Sequence, residues 1–156
     1  VKIVLQRVKR ASVVVDRSVV GCIDHGLCLL AGIEREDTEK DVQFLAKKIV
    51  DLRIFPDENG KMNLSVKDIG GEILAVSQFT LAGSVKKGRR PSFDKAEHPR
   101  RAEELFNLFV NLLRDFGVCV QTGVFSAMMD VHLVNDGPVT FILESPAVAT
   151  NSKLQS

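Results

Sequence analysis

A chain of 156 residues with 45% apolar and 26% charged side chains has the size and balance of one folded domain with a core of its own. Its net charge of +1 provides no global attraction to nucleic acid, and no apolar run is long enough to cross a bilayer. Cys22, Cys28 and Cys119 are odd in number and lack C-x-x-C pairing; their apolar neighbours predict small buried hydrophobes, with no metal site and no disulfide framework.

The opening Val1 to Arg7 lacks the order of a secretory signal, so the expected compartment is the cytoplasm. Residues 2–8 and 11–15 are rich in Val and Ile and predict two strands. A polar turn at Asp16-Arg17-Ser18 leads to a third, Val19 to Ile23, and Gly26 precedes a fourth apolar run, Leu27 to Ile33. Such a hairpin-like series predicts antiparallel pairing. Asp37 or Thr38 can cap a first helix whose apolar face is Val42, Leu45, Ala46, Ile49 and Leu52. Pro56 to Gly60 has turn chemistry, and Gly70-Gly71 breaks the chain again. Ile73 to Leu81 predicts a strand that begins buried on both faces.

Residues 82–98 form a long polar loop, of a length often tied to function. It carries Lys86, Lys87, Arg89 and Arg90 around Gly88, either a solvated face or a phosphate-contacting loop. Pro99 opens a second helix with the stripe Ala102, Leu105, Phe106, Phe109, Leu112, Leu113, Phe116, and Gly117 stops it. Strands at 118–122, 131–134 and 139–144 follow, the last two interrupted by Asn135-Asp136-Gly137-Pro138. The tail beyond Ser145 is polar and expected to fray. The sum is an α+β domain over residues 1–145 with a polar C-terminal tail at 146–156.

Side-chain chemistry is sparse. His25, His98 and His132 belong to no nucleophile elbow, zincin or papain-like pattern. There is no Walker loop, no dinucleotide fingerprint, and no Trp or Tyr for stacking RNA bases. Either the chain is a binding module, or its catalysis uses backbone groups and the substrate itself.

Two segments remain. Ser77-Gln78-Phe79-Thr80 is polar at the end of an apolar strand, a place where a strand leaves the core or a site faces a crevice. Asn135 to Thr140 has the composition of a hairpin turn. A glycine before proline, however, reaches unusual backbone angles, and X–Pro bonds alone are cheaply cis, which could aim both carbonyls one way.

Together these segments resemble the D-aminoacyl-tRNA deacylases, whose signature is S-Q-F-T-L and N-x-G-P-V-T. Gln6-Arg7-Val8, Leu52 to Phe55, Gly60 to Ser65, Lys87 to Phe93 and Thr122-Gly123 with Phe125 match in the same order, so the resemblance covers nearly the whole chain. The family usually has Gly or Ala where this chain has Ser126, and often an acid where it has Met128.

The resemblance implies a largely antiparallel, barrel-like sheet with two helices outside, in a homodimer with active sites at the subunit interface. It implies hydrolysis of D-aminoacyl-tRNA at its acceptor end, with leakage onto glycyl-tRNA mischarged on tRNA-Ala, and without a cofactor, metal or membrane. Gly137 and Pro138 would enter the partner's site, held by Arg7 and supported by Asn135 and Thr140. Ser77 and Gln78 would line the ribose end, backbone N–H groups near Phe79 and Thr80 would meet the oxyanion, and Phe79 and Met129 would flank the adenosine. Thr80 ranks as a nucleophile below substrate-assisted hydrolysis. Lys86, Lys87, Arg89 and Arg90 would meet tRNA phosphates. The rival on the same fold is a non-catalytic nucleic-acid-binding protein.

Overall fold

The computed structural model describes residues 1–146. The expected tail at 146–156 lies outside the described residues from 147 onward. Strand β1 (Lys2–Val15) is the spine. The chain then runs through β2 (Ser18–Ile23), β3 (Gly26–Gly32), α1 (Glu39–Asp51), a small β4–β5 hairpin (Phe55–Pro56, Met62–Leu64), β6 (Glu72–Ser77), α2 (Pro99–Asp115), β7 (Cys119–Thr122) and β8 (Asp130–Glu144).

One edge of β1 pairs with β3 and then β2, and its other edge pairs with β8 along nearly its whole length. β6 and β7 extend the β3 side, giving the order β2-β1-β3-β6-β7 with β8 on β1. The sheet curls until β2 lies over β7. A Cβ on Gly21 would come within 2.5 Å of the Thr122 carbonyl, so only glycine permits this near-closure.

The expected α+β class and barrel-like curl are present, but the sheet is mixed, not largely antiparallel. β3–β6 and β6–β7 are parallel. Each parallel step contains a helix, α1 or α2, the crossover that parallel neighbours require. The strands at 2–8 and 11–15 are one strand; exposed Lys9 and Arg10 mark a register shift against β8, not a break. The segments 131–134 and 139–144 are likewise one strand, and Asn135 to Pro138 is no hairpin turn. The predicted 73–81 strand ends at Ser77 and passes into a 3-10 turn, Phe79–Ala82.

Alternation along the strands divides the core in two. Ile3, Leu5, Leu27, Leu29, Ile73 and Ala75 face the helices, meeting Leu45, Ile49, Leu105, Phe109 and Leu113. Val8, Val13, Cys28, Leu74 and Val76 face the inside of the curl. β6 is thus covered on both faces, which is why it is apolar throughout. Thr38 caps α1 and its N–H donates to the Asp41 carboxylate at 2.8 Å. Pro99 opens α2, and Gly117, at φ +93°, follows its end. Of the cysteines, only Cys28 is buried, and burial pushes its thiol up to about 11. Cys22 and Cys119 are exposed, against expectation, because they occupy outward positions of the short strands β2 and β7.

Candidate active site

The segment Asn135 to Thr140 forms a wide bulge. Thr140 pairs with Gln6 and Asn135 with Val8, so four residues of β8 stand opposite the single residue Arg7. The Gly137-Pro138 bond is cis, and both residues are exposed. The bulge has its own fastenings. Asn135 Nδ2 donates across it to the Val139 carbonyl at 3.1 Å and to the Arg7 carbonyl at 3.3 Å. Gln6 Nε2 donates to Thr140 Oγ1 at 3.1 Å.

Arg7 is buried beneath the bulge. Its Nε donates to the Asp136 carbonyl at 3.1 Å, and its Nη1 to the Ile54 carbonyl at 2.6 Å. The guanidinium lies 6.0 Å from the centre of the Phe55 ring, within cation–π range. Asp136 turns its carboxylate back to Arg7 at 3.4 Å and to His25 Nε2 at 3.3 Å. His25 in turn packs edge-on to Phe55, 5.3 Å between ring centres. The clamp therefore joins β1, the β2–β3 connection, the segment after α1, and β8. Sequence reasoning met His25, Ile54, Phe55 and Asp136 but gave none of them a role, and only their approach in space reveals one.

The second motif lies elsewhere on the sheet. Ser77 pairs with Ala31 at the end of β6, and the Gln78 N–H donates to the Ala31 carbonyl at 2.8 Å. Ser77 and Gln78 are half-buried; Phe79 and Thr80 are exposed. The 3-10 turn accepts at the Gln78 carbonyl from Leu81 N–H. Neither the Phe79 nor the Thr80 N–H has a protein acceptor among the described residues. Unpaired donors are expected at the start of such a turn. Thr80 Oγ1 accepts a short hydrogen bond from the Gln78 side-chain amide. An amide nitrogen cannot take a proton, and among the described residues Thr80 Oγ1 has no hydrogen bond to a base.

Phe79 packs against Phe93 of the long loop, 5.2 Å between ring centres. Met129 packs on the inner cluster, its sulfur over Gly123. Lys86, Lys87, Arg89 and Arg90 are all exposed on the loop. Ser126 holds φ +62°, a left-handed angle that glycine takes at no steric cost. A shallow cleft of about 550 Å³ is lined by Arg10, Ser12, Cys22 and Val131 to Val134, and by neither motif.

Within one chain the two motifs do not meet. On β3, Leu27 stands opposite Arg7 and Ala31 opposite Ser77, four residues apart. At ~3.3 Å per residue that is about 13 Å along the strand, and the three strand steps from β8 to β6 add about 14 Å across the sheet. No hydrogen bond among the described residues joins them.

The fold recurs in known proteins. A solved structure named c-Myc DNA Unwinding Element Binding Protein is 47% identical, with a TM-score of 0.89, and the match covers 94% of this chain and 100% of that one. A probable eukaryotic D-amino acid tRNA deacylase shares the fold at 17% identity and a TM-score of 0.78, covering 92% and 98%. The curled mixed sheet backed by two helices is thus a fold shared with both of these solved structures. Among curated relatives, the D-aminoacyl-tRNA deacylase of Brevibacillus brevis is 61% identical over 92% of this chain and 99% of its own. That of Geobacter metallireducens is 59% identical over 93% and 96%. The family model described as D-Tyr-tRNA(Tyr) deacylase matches residues 4–144, and the chain belongs to that family.

Proposed function

We propose that this chain hydrolyses the ester between a D-amino acid and the terminal ribose of tRNA, releasing free D-amino acid and tRNA. Residues 1–145 act as one domain, in the cytoplasm, as a homodimer. The observation that carries the dimer is the separation of the motifs: a site that uses both must take Ser77 to Thr80 from one subunit and Gly137-Pro138 from the other. Exposed Phe141 and Ile142 on β8 and exposed Met128 before it supply apolar surface for such a contact. Among the described residues no helix is long and apolar enough to cross a membrane.

Selectivity then comes from backbone. An enzyme that accepts many D side chains must read the α-carbon. The Gly137 and Pro138 carbonyls accept hydrogen bonds from the α-amino group and leave open space for a D side chain. An L side chain runs into the same wall. Glycine offers nothing to reject, so glycyl-tRNA mischarged on tRNA-Ala is a second substrate. Arg7, Asn135 and Thr140 hold the wall in place.

Hydrolysis asks for orientation more than for a nucleophile. The ester is labile beside a ribose hydroxyl, and holding it against a water supplies much of the rate. The free N–H groups of Phe79 and Thr80 stabilise the oxyanion. Ser77 and Gln78 line the ribose, Phe79 and Met129 flank the adenosine, and Lys86, Lys87, Arg89 and Arg90 meet phosphates. No cofactor or metal enters the reaction. Release of free amino acid from D-aminoacyl-tRNA tests the reading; its absence from a folded dimer refutes it. A second reading, a non-catalytic nucleic-acid binder, draws on the DNA-binding name of the 47% identical structure. It would leave the Arg7 clamp and the Gly137-Pro138 bulge without a use.

A further inference from the structure

The long loop after the 3-10 turn is more ordered than its polar composition suggests. Ser84 and Ser92 exchange backbone hydrogen bonds at 2.7 and 2.9 Å, closing residues 85–91 into a hairpin-like tip. Its base is tied down where Arg35 N–H donates to the Lys95 carbonyl at 2.8 Å and Glu97 N–H to the Ile33 carbonyl at 3.1 Å. Phe93 turns inward over Gly83, where a Cβ would approach its ring to 2.9 Å, and so reaches Phe79.

On the same loop, with the chain neighbours of Phe93 in its wall, lies a depression of about 370 Å³, lined by Lys86, Lys87, Lys95, Ser84, Ser92 and Asp94. Three lysines and one aspartate contribute to its walls, and the Asp94 carboxylate already accepts from Ser92 Oγ at 2.7 Å. None of the three lysines has an acidic partner among the described residues. Arg89 and Arg90, at the tip, do not line it. Lysines without acidic partners on a loop that also carries an exposed aromatic ring match the way proteins hold single-stranded nucleic acid: charge takes the phosphate and a ring takes the base.

We propose that the Lys86–Lys87–Lys95 depression seats the phosphodiester of the unpaired 3′ end of tRNA, one nucleotide inward from the ester. The Phe79–Phe93 pair then carries the base or ribose at the ester end, so one loop sets the reach from phosphate to scissile bond. This inference rests on the deacylase reading.

The test compares two substrates, D-aminoacyl-tRNA and 2′(3′)-O-D-aminoacyl-adenosine, which has no phosphate. In a variant with Lys86→Ala, Lys87→Ala and Lys95→Ala, the ratio of kcat/KM on tRNA to that on the adenosine ester falls about tenfold or more. The salt dependence of KM on tRNA becomes shallower by about 0.7 in log–log slope for each phosphate that is no longer neutralised. Arginine at all three positions restores the ratio. A ratio within about twofold of wild type, or inorganic phosphate competing as well as a CCA trinucleotide, overturns the subsite. Wild-type protein inactive on both esters overturns the deacylase reading instead.

Discussion

Alanine at Gly137 would put a methyl group into the tightest part of the bulge. The added Cβ would lie 2.8 Å from Val139 Cγ2, 2.9 Å from the Val139 backbone nitrogen and 3.1 Å from Arg7 Nη2. Ordinary carbon contacts begin near ~3.5 Å, so these neighbours must retreat by about 0.5 Å, and one of them is backbone. The residue also sits at φ +141°, where an L side chain is strained. Backbone strain and overpacking each cost about 1–3 kcal/mol. At ~2–4 °C per kcal/mol for a domain of this size, Tm falls by roughly 4–24 °C. Displacement of the carbonyl wall by this much costs about tenfold or more in kcat/KM on the D ester, since a 1 Å misplacement can cost about a hundredfold. The D-over-L preference narrows with it. Thermal unfolding and paired deacylation assays read both effects. An alanine variant with wild-type Tm and wild-type selectivity would refute the view that this bulge is a fitted, chirality-reading element.

Arg7→Ala removes charged hydrogen bonds to the Asp136 and Ile54 carbonyls. It should cost about 2–4 kcal/mol in denaturant unfolding and lower D-ester turnover; Arg7→Lys should recover only part of either, because one ammonium cannot reproduce the planar fork. Thr80→Ala should keep at least about a tenth of wild-type kcat, as its hydroxyl bonds an amide and, among the described residues, no base; complete loss in a folded variant would restore a nucleophile. Asp57 is held below its ordinary 3.8 first by the Lys61 N–H, and Asp68 first by the Ser65 N–H. Both pKa values are depressed in the fold, so the unfolded chain binds more protons as pH drops. Their stabilisation is complete above about pH 3.8 and is lost as pH falls through the lower folded values. Tm measured from pH 5 to 2 should drop less steeply in the Asp57→Asn and Asp68→Asn variants, and parallel curves would count against it.

The helices were legible because their packing follows a short-range period. The stripe from Ala102 to Phe116 supplies most of the α2 face against the core, and Thr38 and Pro99 mark the two starts. The mixed sheet was not legible, since Val-rich strands early in the chain suggest hairpins while the parallel partners of β3 and β6 lie beyond helices. Asn135 to Pro138 carries turn-forming residues that here widen a continuous strand, and the deciding partner, Arg7, lies 129 residues away from Asp136. Both motifs could be found by their order along the chain. The clamp beneath one of them could not, because His25, Ile54 and Phe55 are ordinary core and surface residues until β8 is laid on β1. The lysine depression was half visible: Lys86 and Lys87 stand in a basic run, whereas Lys95 joins them only through the Ser84–Ser92 bridge.

Backbone carbonyls at Gly137-Pro138 that, as proposed, read the α-carbon, and not the side chain, make one sharp demand. Matched D- and L-aminoacyl-tRNA, identical in tRNA and in amino-acid side chain, should be incubated separately with the protein and the loss of ester followed. The D ester is hydrolysed and the L ester is spared, and the preference persists when a small side chain is exchanged for a large one. Equal turnover of the two esters, or a preference that reverses with side-chain size, contradicts the account.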